Sequence, residues 1–281
     1  MIEIITDSTC DIPDLLIERH RINVLHHTII WGREQLRDRQ DIQPEEFYER
    51  LERDPQLPST AALSMVDFAR AYQAAQAKGA SEIVAVVVNS VFSSTYQNAL
   101  NAAEQVDIPV HVIDTLSTSM GLGWQALAAA RLRDAGASSA EIVERVAEIR
   151  RKLYLYVGLD TLEFIEKGGR IGKAARLVGT LLQIKPIVDV SARTGEVTDI
   201  GTSRTRKRMI EDLYRRFFEV VDPSKPFRIC VLHGKAPAEA AELIERIQRE
   251  YQPLEILTNI TTPVLGLNTG PRALGLTGYN E

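Results

Sequence analysis

The chain has 281 residues, enough for one large α/β unit or for two domains sharing a seam. Apolar residues make up 44% and charged residues 25%, close to the soluble globular average, which excludes a disordered or fibrous chain. A net charge of −5 leaves no broad basic field and argues against nucleic acid or an anionic membrane surface as the main partner.

The opening segment, MIEIITDSTC, lacks a basic region followed by an apolar one, and no apolar run reaches the ~18 residues needed to span a bilayer. A cytoplasmic protein without stable membrane insertion is expected. Short β-branched runs at 2–5, 24–30, 83–88 and 110–113 predict strands that alternate with helical patterns, the rhythm of a parallel sheet. The run IVAVVV at 83–88 is apolar at nearly every position, as suits a central strand covered on both faces.

Each strand end carries hydroxyls. Thr6-Asp7-Ser8-Thr9 closes the first strand, where side chains either hydrogen-bond a ligand or serve the turn and the next cap. Thr60 precedes Ser64, which has Asp67 three residues on and reads as an N-cap with a capping-box partner. The turn Asn89-Ser90-Val91-Phe92-Ser93-Ser94-Thr95 follows the apolar strand and opens a helix expected over 97–106. Its hydroxyls and helix-start N–H groups suit a carboxylate or phosphate, because no His, Cys or carboxylate lies within the motif for acid–base work. The same pattern recurs at 114–123, where GLG is too short for a dinucleotide fingerprint.

After Gly121 a helix through GWQALAAARLRD ends at Gly136, and Ser138 or Ser139 caps the next one. The spacing then changes, with strands predicted at 153–157, 184–190, 196–201 and 227–232 and a hairpin turn at Arg193-Thr194-Gly195. We therefore expect two α/β domains, 1–152 with a parallel sheet flanked by helices and 153–281 with a mixed sheet. Glu166 to Lys173 lacks the order of a phosphate loop, since Ala174 follows Lys173, and Gly168 with Gly169 reads as a helix stop. The basic run 204–208 opens a helix, a poor place for cations unless they answer an acidic partner or an anion. Asn268 and Thr269 sit beside a Gly-Pro turn, expected after a short strand. Cys10 and Cys230 lack disulfide or zinc spacing, and the five histidines, His20, His26, His27, His111 and His233, fit neither a metal nor a triad pattern. No metal, cofactor or catalytic residue is expected.

Taken in order, the blocks TDSTCDIP at 6–13, 60–64, SVFSSTY at 90–96, DTLSTSMGLG at 114–123, LEFIEKGGRIGK at 162–173, GTLLQIKPIV at 179–188, SRTRK at 203–207 and LNTGPRALG at 267–275 resemble the DegV family over essentially the whole chain. The resemblance implies two α/β domains similar to the dihydroxyacetone-binding subunits of some kinases, with a ligand at the seam. It also implies a non-enzymatic carrier that buries a long-chain fatty acid in an apolar tunnel and presents its carboxylate to a fatty acid kinase. Carried over by position, Thr60 and Ser93 would donate hydroxyl hydrogen bonds and Ser94 a backbone N–H. Asn268 beside Thr269 would complete the head-group network, with Arg170 basic at the site and Arg204 nearer the partner-docking surface. The chain departs from the family pattern at Asn268, where His is usual, at Ser94, where Gly is usual, and at Ala61-Ala62-Leu63. The alternatives are a substrate-binding subunit of a small-molecule kinase, a hydrolase built on Ser8 or Ser93, and a nucleotide- or sugar-phosphate-binding module.

Overall fold

Residue alternation along one apolar strand organises the first half of the protein. In the strand Glu82–Val87, Ile83, Ala85 and Val87 pack with Phe68, Tyr72, Ala99 and Ala102 on one face, while Val84 and Val86 join Leu122 and Trp124 on the other. Both faces are therefore buried, as a parallel strand covered by helices requires.

The computed structural model describes residues 1–178 and 184–281. In chain order the first half contains β1 (Ile2–Asp7), α1 (Asp14–Arg19), β2 (Asn23–Leu25), β3 (Thr28–Trp31), β4 (Glu34–Arg37), α2 (Pro44–Arg53), β5 (Ser59–Ala61) and α3 (Met65–Ala77). It continues through β6 (Glu82–Val87), α4 (Thr95–Ala103), β7 (Val110–Asp114), α5 (Ser119–Asp134) and α6 (Ser139–Lys152). Next come β8 (Tyr154–Gly158), α7 (Glu163–Lys167), β9 (Lys185–Val190), β10 (Val197–Ser203) and α8 (Arg206–Val220). The chain closes with β11 (Phe227–His233), α9 (Pro237–Glu250), β12 (Glu255–Ile260), α10 (Pro263–Thr269) and β13 (Leu274–Asn280).

The architecture is α/β, with a parallel sheet in the order β2-β1-β6-β7 and a mixed six-stranded sheet in the order β10-β9-β8-β13-β11-β12. The expected parallel and mixed sheets are both present, and β6 is an interior strand. A small antiparallel sheet, β4-β3-β5, stands beside them. Helix α5 packs against β1 and β6 of the parallel sheet and against β13 of the mixed one. It is buried at most positions on every side, and Trp124 donates its indole N–H to the Thr277 carbonyl of β13. A helix apolar all round belongs between two layers, so α5 joins the two sheets into one core.

Two sequence expectations are corrected. The run 24–30 is not one strand: β2 pairs with β1, whereas β3 pairs with β4 and β5 in the small sheet. His26 and His27 make the break, because each ring nitrogen Nδ1 faces a carbonyl, of Asp38 at 2.7 Å and of Ala61 at 3.3 Å, off the line of β2. Asn268 and Thr269 lie in the last turn of α10 rather than in a loop after a strand. Pro263 preorganises the first turn of that helix, and Gly270 ends it at φ +72°. Smaller shifts occur at helix ends, with α4 starting at Thr95 and Ser138, not Ser139, capping α6 through a complete capping box. Of the matching block at 179–188, residues 179–183 lie outside the described residues.

Candidate ligand cavity

Carboxyl ends of parallel strands open toward a common crevice. Here the turns after β1, β6 and β7 meet α10 and the face of the mixed sheet around a cavity of about 520 Å³. That volume lies within the ~300–1,000 Å³ of small-molecule sites. One wall is apolar and comes from the mixed sheet: Leu155 and Val157 of β8, Val188 and Val190 of β9, Val197 of β10 and Leu232 of β11. The other end is polar, with hydroxyls of Thr9, Thr60, Ser90, Ser93, Thr118, Ser119 and Thr261. The cavity is thus two-ended, which is the shape of demand set by an amphipathic ligand.

Six of the residues singled out from sequence, Thr60, Ser93, Ser94, Asn268, Thr269 and Arg170, line this cavity together although they come from four separate parts of the chain. Thr60 sits in β5 opposite Ile29, and its hydroxyl makes no hydrogen bond among the described residues. Ser93 Oγ lies 2.7 Å from Thr95 Oγ1 and accepts the Thr95 N–H, so it tightens the entry to α4. Ser94 is the residue before α4, where N–H groups lack intrahelical partners. Asn268 donates Nδ2 to the Val264 carbonyl at 3.1 Å, which turns its Oδ1 toward Gly168 as a buried acceptor with no partner. Thr269 Oγ1 donates back to Leu265. Arg170 is exposed and donates to the carbonyls of Gly168 and Phe92, tying the turn after α7 to the Ser-rich turn above the cavity.

Arg204 is exposed and does not line the cavity. The basic run it begins is answered by acids: Arg206 makes paired hydrogen bonds to Glu239 at 2.5 and 2.6 Å and reaches Asp160 at 3.1 Å. That explains how cations are tolerated at the start of α8.

Sequence reading missed His27. It is 3% exposed, lines the cavity, and places Nε2 3.4 Å from Asp7 Oδ1. Burial works against its charge, but the Asp7 carboxylate beside it outweighs that and raises the imidazole above its ordinary value. Asp7 is buried too, yet His27, the Thr9 hydroxyl and N–H, and the Val88 N–H at 2.7 Å hold its carboxyl below the usual range. Two more carboxylates lie in the same layer. Burial pushes Asp11 up to about 6 and Asp38 up to about 7, with the Ser119 and Ser8 hydroxyls respectively pulling the other way. The only signal in the sequence was a His-His doublet interrupting an apolar run opposite a strand ending in Asp.

No group of three or more His, Cys, Asp or Glu side chains that could hold a metal ion occurs among the described residues. No helix among them is long and apolar enough to cross a membrane.

A family model described as "Uncharacterised protein, DegV family" matches residues 1–281. The chain is 29% identical to Protein DegV of Bacillus subtilis, over 98% of each chain. It is 32% identical to a DegV domain-containing protein of Staphylococcus aureus, over 97% of this chain and 96% of that one. Among solved structures, a DegV family protein from Thermus thermophilus, described for its fatty acid binding, superposes with a TM-score of 0.93 at 29% identity, covering 100% of this chain and 99% of that one. DegV from Bacillus subtilis, described as a fatty acid binding protein, gives a TM-score of 0.91 at 27% identity over 100% and 99% of the two chains.

Proposed function

The chain belongs to the DegV family, and from that premise we propose that it carries one long-chain fatty acid in the cavity between its sheets and offers the carboxylate to a fatty acid kinase. The observation that carries this reading is the two-ended cavity, apolar along the mixed sheet and hydroxyl-rich at the strand ends. Burying an acyl chain gains ~0.8 kcal/mol per methylene, so roughly a dozen methylenes contribute about 10 kcal/mol before ordering costs. A carboxylate has to be paired wherever it leaves water. Thr60, Ser93, the Ser94 N–H, Thr269 and the donor face of Asn268 are the residues we assign to that task, with Arg170 closing the rim. Arg204, exposed and clear of the cavity, is assigned to partner docking.

Neither serine considered for hydrolysis combines a base with a place in the cavity, which supports a carrier rather than an enzyme: Ser93 has no base beside it among the described residues, and Ser8, next to the Asp38 carboxyl, does not line the cavity. Ser93 Oγ is engaged with Thr95, and Ser8 Oγ accepts the backbone N–H of His27. The two domains are proposed as 1–152 and 153–281, on the ground that the parallel sheet draws on strands before residue 115 and the mixed sheet on strands after 153.

Organic extraction of the purified protein followed by mass spectrometry, with native mass spectrometry to count ligands, tests the reading. One fatty acid per chain is expected. A protein that is empty and takes up no added fatty acid would overturn it.

A further inference from the structure

A buried head group meets whatever charge the cavity wall presents, and the titratable groups here are arranged in two layers. His27 lines the cavity, whereas Asp7, Asp11 and Asp38 are fully buried and do not. Thr9 and Ser119, which hydrogen-bond Asp7 and Asp11, line the cavity in front of those carboxylates. The ion pair of His27 with Asp7 therefore turns its positive end toward the ligand space.

The ring itself faces acceptors on both sides. Nε2 meets Asp7 Oδ1 at 3.4 Å, and Nδ1 meets the Ala61 carbonyl at 3.3 Å. With Nδ1 donating to the Ala61 carbonyl, a neutral ring would turn its Nε2 lone pair toward the Asp7 carboxylate, whereas the doubly protonated ring meets that carboxylate with positive charge. Thr60 and the Ser94 N–H offer neutral donors, but the charged and amide side chains at the cavity other than His27 already hold protein carbonyls. Arg170 is exposed and spends its Nε and Nη1 donors on two carbonyls, and Asn268 Nδ2 donates to Val264.

We propose that His27, held as an imidazolium by Asp7, supplies the positive charge met by an anionic head group and so makes the cavity prefer a carboxylate to a neutral head of equal chain length. The proposal rests on the lipid-carrier reading and specifies its head-group chemistry. Nδ1 is engaged with the Ala61 carbonyl and Nε2 is paired by charge with Asp7, without an aligned hydrogen bond, so His27 acts through its field and through the hydroxyls it helps to place: it is a positioning residue.

The groups facing His27 set the pH dependence. They are Asp7 from β1, Asp38 after β4 and the Ala61 carbonyl from β5, with Asp11, His26 and Arg39 in the surrounding cluster. As pH rises, His27 loses its charge while Asp11 and Asp38 gain theirs. Both changes act against an anionic head group.

The test compares tetradecanoic acid with tetradecanol, which differ at the head and share the chain, on the wild-type protein and on His27→Gln. The expected result is a loss of about tenfold or more in affinity for the acid, with the alcohol within about twofold. Equal losses for both lipids would mean that His27 serves only packing, and no loss for either would mean that its charge is not felt; each overturns the proposal. In the wild-type protein the acid-to-alcohol affinity ratio should fall between about pH 6 and about pH 9. A flat ratio overturns the proposal without any variant having to fold. Wild-type protein that takes up neither lipid would overturn the carrier reading and this assignment with it.

Discussion

The hydroxyl of Ser93 lies 2.7 Å from the hydroxyl of Thr95 and accepts the Thr95 backbone N–H, so a residue that lines the cavity also fastens the first turn of α4. Under the proposed function, ligand binding and the fastening of this helix start share one oxygen.

Ser93→Ala should therefore lower both lipid affinity and the unfolding temperature of the delipidated protein. Losing such a bond at a helix start costs ~1 kcal/mol, or roughly 2–4 °C for a protein of this size. Thr60→Ala, whose hydroxyl has no partner among the described residues, should lower affinity with the unfolding temperature unchanged. Calorimetric scans with lipid titrations on both variants check the contrast, and identical scans would contradict it.

Gly168 is placed so that a Cβ there would come within 2.1 Å of Asn268 Oδ1. Gly168→Ala should push the Asn268 amide off its bond to Val264, weakening lipid binding and costing about 1–3 kcal/mol of stability. Gly169→Ala is the control. Its φ of +72° carries backbone strain of about 1 kcal/mol, but the space around it is open, so lipid affinity should hold.

Ala273 is 1% exposed and faces the apolar part of the cavity. Ala273→Phe should fill space that an acyl chain would occupy and move the preference toward shorter chains. Mass spectrometry of lipid extracted from the variant reads this directly, and an unchanged chain-length profile would place the acyl tail elsewhere.

Asp38 gives a stability prediction whose sign follows from proton binding. Its folded value of about 7 lies above the ordinary 3.8, so the folded state holds the extra proton between those values and stability falls as pH rises through that window. At ~1.4 kcal/mol per unit, the effect is on the order of 2–4 kcal/mol. Asp38→Asn should flatten this part of the pH profile and gain on the parent protein toward pH 8. Denaturant unfolding at about pH 5 and about pH 8 measures it, with equal slopes counting against the assignment.

Arg204→Ala should leave lipid content and thermal unfolding unchanged, because the side chain is exposed and away from the cavity. Under the proposed function, it should slow phosphorylation of bound fatty acid by a fatty acid kinase. An unchanged rate would move the docking surface away from this run.

The elements most legible in the sequence were those with a local cause. The unbroken apolar run of β6 announces a strand buried on both faces, and Ser64 with Asp67 and Ser138 with Glu141 announce helix starts, because each pattern is complete within a few residues. The β2–β3 break and the helical setting of Asn268 were less legible. One depends on carbonyls of Asp38 and Ala61 supplied by other segments, and the other on a seven-residue helix too short to show a period.

Alone, the sequence determined the α/β alternation, the hydroxyl-rich strand ends and the ordered blocks of the DegV family, since these are written in local pattern and in order along the chain. Only the tertiary structure decided which of those hydroxyls meet, and that His27 in the cavity wall faces Asp7 behind it. Burial and partner geometry set that pair's charge, and both arise where segments twenty or more residues apart are packed together.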